Sequence, residues 1–101
     1  MSENIKNIDE LYVDDSGRAH RLDGPAWDGG DGRKEWWVHG TLHRTDGPAV
    51  ERPNGTNRWY QHGCLHRTDG PAVENQDGTG MWFLHGELLT KIQWLDKLGK
   101  L

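Results

Sequence analysis

The sequence predicts an all-β fold: an antiparallel meander of tandem 23-residue hairpin repeats with a short C-terminal capping helix. Three observations carry this. The decapeptide LHRTDGPAVE occurs twice, at 42–51 and 65–74, and HRLDGPA at 20–26 is a shorter third copy. His20, His43 and His66 are thus 23 residues apart, as are the Arg, Asp, Gly, Pro and Ala that follow each. Glycines and aromatics keep the same step: Gly17, Gly40, Gly63 and Gly86; Gly32, Gly55 and Gly78; Trp36, Trp59 and Trp82. A fixed period of this length describes an array in which each unit leans on its neighbours.

The elements follow in order. Residues 1–11 form a lead-in, and 12–89 form the repeat sheet. Asp31-Gly32, Asn54-Gly55 and Asp77-Gly78 are hairpin signals, because a type I′ turn needs positive φ at both central positions. Downstream of each stands a His-Gly pair, at 39–40, 62–63 and 85–86. His tolerates the left-handed region better than most side chains, so these read as second tight turns. Between the two turns lie the strands RKEWWV, TNRWYQ and TGMWFL. A return strand, TLHR or CLHR, then reaches Asp-Gly-Pro, where proline removes a donor and fixes φ, and PAVE re-enters the sheet. Where a further LHRTDGPA is due, the chain reads ELLTKIQWLDKLGKL. Leu88, Ile92, Leu95 and Leu98 fall at helical spacing, Thr90 can serve as N-cap and Gly99 can end the helix, so 90–101 is the cap.

Composition narrows the function classes. Leu, Ile, Val and Phe together number only 18 of 101 residues, but six tryptophans and a net charge of only −4 favour a folded chain. With 12 basic against 16 acidic side chains there is no clustered basic surface for nucleic acid. Neither a polybasic membrane helix nor an apolar run of spanning length is present in the sequence. MSENIKNIDE has no signal-peptide core and Cys64 stands alone, which leads to a cytoplasmic expectation.

Three groups of side chains could carry chemistry. The recurring His-Arg-x-Asp offers an anion-binding set, His43, Arg44, His66 and Arg67. Its other reading is structural, with Asp46 and Asp69 bonding backbone amides at their corners and the arginines pairing with acids of an adjacent repeat. Catalysis needs one asymmetric pocket, which near-identical copies along a sheet do not make, so no enzyme is expected. His39, His43, His62, Cys64 and His66 are zinc-ligand types, but the turn role accounts for His39 and His62, so neither metal nor other cofactor is expected. The paired aromatics form the third group. Neighbours on a strand face opposite ways, so Trp36, Trp59 and Trp82 line one side, while Trp37, Tyr60 and Phe83, with Glu35 and Arg58, line the other. An aromatic row rimmed by charge is how partner-binding surfaces look.

The composite pattern W-[aromatic]-x-[N/H]-G-x-L-H-R-x-D-G-P-A-V-E resembles the variant MORN-type repeats of small bacterial, phage and giant-virus proteins. The resemblance spans roughly residues 12–90, and it departs at His39, His62 and His85, where the family usually has Asn. It implies an all-β repeat sheet, a mobile-element origin for many relatives, and no reaction. The resulting expectation is a non-catalytic interaction module, phage- or prophage-encoded, that occludes a host protein such as a defence-system component. Its partner is a host protein or a second copy of the chain. The alternative is a binder of a nucleotide or other small anion through His43, Arg44, His66 and Arg67.

Overall fold

The computed structural model describes residues 11–101 and the backbone of Ile5 and Lys6; the rest of the expected lead-in lies outside the described residues. In chain order the strands are β1 (Ile5–Lys6), β2 (Tyr12–Val13), β3 (Trp27–Asp28), β4 (Lys34–Glu35), β5 (Trp37–Val38), β6 (Thr41–Leu42) and β7 (Val50–Glu51). They continue as β8 (Asn57–Arg58), β9 (Tyr60–Gln61), β10 (Cys64–Leu65), β11 (Val73–Glu74), β12 (Gly80–Leu84) and β13 (Glu87–Leu89), and one helix, α1 (Lys91–Lys97), ends the chain. A seven-stranded antiparallel meander, ordered β13-β12-β11-β8-β7-β4-β3, runs the length of the molecule. The hairpins β5-β6 and β9-β10 branch from it. The extents are 47 × 27 × 17 Å and the radius of gyration is 14.9 Å. A compact chain of this length has about 13 Å, so the array is elongated and thin.

The six-residue strands expected at 33–38 and 56–61 are each split at their first aromatic. The Trp36 amide donates to the Ala49 carbonyl across the main sheet, while its carbonyl accepts from His43 in the hairpin. Trp59 does the same between Ala72 and His66. The strand therefore changes partner at the tryptophan. In the last repeat β13 follows β12 through Trp82↔Leu89, so β12 stays whole.

The turns also correct the sequence reading. His39, His62 and His85 have φ of 46°, 52° and 50°, and each is followed by a positive-φ glycine, as a type I′ turn requires. At Asp31-Gly32, Asn54-Gly55 and Asp77-Gly78 only the glycine is left-handed. Arg52 N–H donates to the Thr56 carbonyl and Asn75 N–H to that of Thr79, enclosing three-residue loops in which one left-handed glycine suffices. Asn54 and Asp77 instead accept the amide two residues on, at 3.0 Å each. A further difference lies upstream. Tyr12, not Val13, plays the part of Trp36, donating to the Ala26 carbonyl and accepting from His20, so the first hairpin turn is one residue longer.

Buried apolar surface is spread thinly: Ala26, Ala49 and Ala72 are wholly inaccessible, and Val50 and Val73 nearly so. The one larger cluster among the described residues is at the C-terminus, where Leu84, Leu89 and Trp94 pack with Trp82, Leu95 and Leu98. The helix is shorter than 90–101 and its buried side chain is Trp94; Leu88 and Ile92, expected to face inward, are 57% and 67% exposed. Thr90 caps it in a reciprocal capping box with Gln93. Gly99, at φ 70°, ends it, with Gly99 N–H to Asp96 and Lys100 N–H to Leu95, the two bonds of a Schellman motif. No helix among the described residues is long and apolar enough to cross a membrane.

Candidate functional site

The recurring spacing Arg-x-Asp-Gly-Pro-Ala-Val-Glu folds into a corner built around one guanidinium. Arg44 Nε donates to Asp46 at 2.9 Å, and its Nη1 donates to the Pro48 carbonyl and to Glu51, both at 3.0 Å. Arg67 repeats this with Asp69, the Pro71 carbonyl and Glu74. The other side of each guanidinium lies over a tryptophan ring, Arg44 on Trp36 at 3.7 Å and Arg67 on Trp59 at 3.8 Å, a cation–π contact. Arg21 stacks likewise on Tyr12. The glycine leaves room for this packing, because a Cβ at Gly47 or Gly70 would sit 2.6 or 2.7 Å from the guanidinium carbon and displace it. Asp46 and Asp69 thus bind their own arginine rather than backbone amides, and the arginines pair within their own repeat. Each arginine also holds its aspartate's carboxyl below the ordinary range, through the hydrogen bond first.

The six histidines form three pairs. Imidazole centroids lie 3.9 Å apart for His20–His39, 4.5 Å for His43–His62 and 4.3 Å for His66–His85. In each pair the Nδ1 of the first ring accepts the backbone N–H of the second residue at 2.9 Å. That fixes the first ring as the neutral Nε2–H tautomer. The ring of the turn histidine also packs against the preceding repeat's histidine, which gives that position a use for imidazole. Burial first, then the charge of His62 or His85, lowers the pKa of His43 and His66 below 6.5. In the first pair, His39 Nδ1 also meets Asp14 at 2.7 Å, which with the Arg18 and Ser16 amides holds that carboxyl well below the usual range. The rings lie nearly parallel in the first pair and tilted by 47° and 34° in the others, and among the described residues no group of three or more His, Cys, Asp or Glu side chains is arranged to hold a metal ion.

The anion-binding candidates therefore sit in an occupied setting. His43 and Arg44 line an open groove of about 540 Å³ with Arg21, Asp23, Trp36 and Val38. Its guanidiniums are already neutralised by Asp23 and Asp46, and His43 has given its Nδ1 to the chain.

The partner-binding candidates lie elsewhere. Along β12, Trp82 and Leu84 face α1, and Trp94 lies 4.6 Å from Trp82. Met81 and Phe83 therefore point to the opposite face, where Met81 is 39% exposed. Trp37 Nε1 donates to Glu35 at 3.0 Å, which puts both on one face. Paired residues in an antiparallel ladder share a face. The pairs Trp27↔Glu35, Glu35↔Val50, Val50↔Arg58, Arg58↔Val73 and Val73↔Met81 thus form one row across the sheet. The bridge Leu11↔Trp27 extends it. Beside the row stand Trp37↔Leu42, Tyr60↔Leu65 and Phe83↔Leu88. The structure brings all five candidates, Glu35, Trp37, Arg58, Tyr60 and Phe83, onto this open face. Its aliphatic part went unassigned in the sequence: Leu42 and Leu65 are partly accessible, while Val50 and Val73 are buried among the side chains of the row.

Comparison with known proteins adds no relative: no family model, no curated protein and no solved structure matches the chain.

Proposed function

We propose that the protein is a non-catalytic protein-interaction module that docks through the open face of its sheet. One observation carries this: the helix and the stacked arginines lie over one face, while the other presents Trp37, Tyr60 and Phe83, all partly accessible, beside Met81 and Leu88, which are 39% and 57% exposed. Burying such a surface is the main source of affinity in protein association, and aromatics near its centre are the usual anchors. The mechanism is occlusion, a rigid sheet laid over a partner's working surface. The resemblance to variant MORN-type repeats supports a phage or prophage setting, with a host defence protein as the occluded partner.

The test compares two adjacent aromatics. Tyr60→Ala removes an open-face anchor and weakens association about thirtyfold, the usual cost at an interface centre. Trp59→Ala removes the ring beneath Arg67 and lowers the melting temperature instead. If Tyr60→Ala unfolds the protein as readily as Trp59→Ala, both faces are core and the docking reading fails.

A further inference from the structure

Among the described residues, Arg18, Arg21, Arg33, Arg44, Arg52 and Arg67 each lie within 4.0 Å of an Asp or Glu carboxylate. Arg58 meets none of the described carboxylates. It stands on β8, the central strand of the seven, half-buried between Val50 and Val73 on the open face. A partly exposed guanidinium flanked by buried valines, and matched by no described carboxylate, is free to take an anion from a partner.

The row that holds Arg58 shows where that anion comes from. Read across the sheet it runs Leu11, Trp27, Glu35, Val50, Arg58, Val73, Met81. About its central residue, Val50, the row is self-complementary. Reversed, it sets Leu11 against Met81, Trp27 against Val73 and Glu35 against Arg58. We propose that the open face pairs with the same face of a second copy, in a two-fold homodimer whose axis lies between the sheets along β7. Rotation about that axis keeps position along the strands and reverses strand order. Val50, buried within its own chain, lies beneath the axis, and Glu35 of each chain meets Arg58 of the other across it. Trp37, two residues beyond Glu35, meets Tyr60, two residues beyond Arg58. Within its own chain Glu35 meets Arg52 at 3.8 Å and Trp37 at 3.0 Å, which leaves carboxylate lone pairs for a second cation.

Strands lie about 4.8 Å apart, so Glu35 and Arg58 stand about 10 Å apart across Val50, and both pairs form together. This is the isologous contact that closed dimers use, and near-aligned packing of two sheets is a common architecture. The 47 × 27 Å dimensions leave room for the roughly 800 Å² per partner that a stable interface buries. A foreign protein docking on this face would compete with the second copy.

The proposal rests on the open face being the docking surface, and charge exchange tests both. The wild-type chain sediments as a dimer, and Glu35→Lys or Arg58→Glu weakens it about a hundredfold, since each change turns two attractions into two repulsions. Arg58→Gln, which removes the charge without reversing it, weakens it about tenfold. Mixed in equal amounts, the Glu35→Lys and Arg58→Glu chains associate with each other. The introduced lysine then faces the introduced glutamate, and the native Arg58 of one chain faces the native Glu35 of the other, so both contacts attract. Melting curves on the separate variants establish that each folds. A wild-type chain that stays monomeric at every soluble concentration overturns the homodimer, while the docking face stands if Tyr60→Ala still loses a foreign partner. A dimer indifferent to both charge changes and to Tyr60→Ala forms through another surface and overturns both.

Discussion

The internal repeats and the terminal one solve the same problem with different materials. After Trp36 and Trp59 the chain brings back His43-Arg44 and His66-Arg67, and each guanidinium closes over its tryptophan. After Trp82 the equivalent positions are Leu89 and Thr90. Leu89 packs into the cluster, and Thr90, with no guanidinium to offer, caps a helix whose Trp94 comes to lie against Trp82. Trp94 Nε1 also donates to the Arg67 carbonyl and Lys100 Nζ to that of Thr68, so the helix closes on the last corner. An internal repeat can hide its ring with a charged lid because another repeat follows. The last one must also end the sheet, and it uses apolar bulk.

The largest loss is expected at the cap. Trp94→Ala removes the buried residue of α1, and loss of a buried tryptophan costs about 3–5 kcal/mol. Urea unfolding measures it, and exposure of the β13 edge adds edge-to-edge oligomers larger than a dimer. Next come the corner glycines. Gly47→Ala and Gly70→Ala drive the guanidinium from its ring and cost about 1–2 kcal/mol each, visible in melting curves. Gly24→Ala costs less, because its added Cβ would stand 3.0 Å from Arg21 rather than 2.6 or 2.7 Å.

Acid sharpens the contrast further. His43 and His66 are held below 6.5 in the fold, so the unfolded chain takes up protons first as pH falls. Their contribution is full above pH 6.5 and is lost as pH drops through the lower folded value. The melting temperature therefore declines on acidification from neutral pH, and titration followed by magnetic resonance shows both rings protonating late. Leu89 has no charge to gain, so the cap contact is unaffected. The smallest effect belongs to Asp46→Ala and Asp69→Ala. These carboxylates are 85% and 73% exposed and bind only a guanidinium that keeps Pro48 and Glu51, or Pro71 and Glu74. Their melting temperatures fall least of the set, and the shift shrinks with added salt.

Much of the architecture was legible because the repeat is written in turn chemistry. The positive-φ His-Gly pairs, the Thr90 cap and the Gly99 stop all follow from backbone sterics, which act locally. The opposition of Trp59 and Tyr60 follows from strand alternation alone. What escaped the sequence depends on partners distant in space. Asp-Gly fits both two- and three-residue loops, and only the Arg52–Thr56 and Asn75–Thr79 bonds distinguish them. The break at Trp36 arises because Ala49 and His43 compete for its backbone. Ile92 fits a helical stripe as well as Trp94 does, and the position of Trp82 decides between them. Of the site, the aromatic row was legible, but the isolation of Arg58 from every described carboxylate was not, since it emerges only once every other arginine has been matched to its acid.

The contacts that stabilise a corner recur at fixed sequence offsets: two, four and seven residues for the guanidinium, nineteen for the imidazoles. A further 23-residue block spliced in phase between Glu51 and Arg52 would find equivalents of the ladder, ring and guanidinium contacts, and those that now cross the junction, such as His43–His62 and Val50↔Arg58, would pass to the new block. Near-identical decapeptides also invite misaligned recombination, which adds or removes whole units. Length is then the freely variable property of this molecule, and its open face behaves as a ruler whose reach is set by copy number.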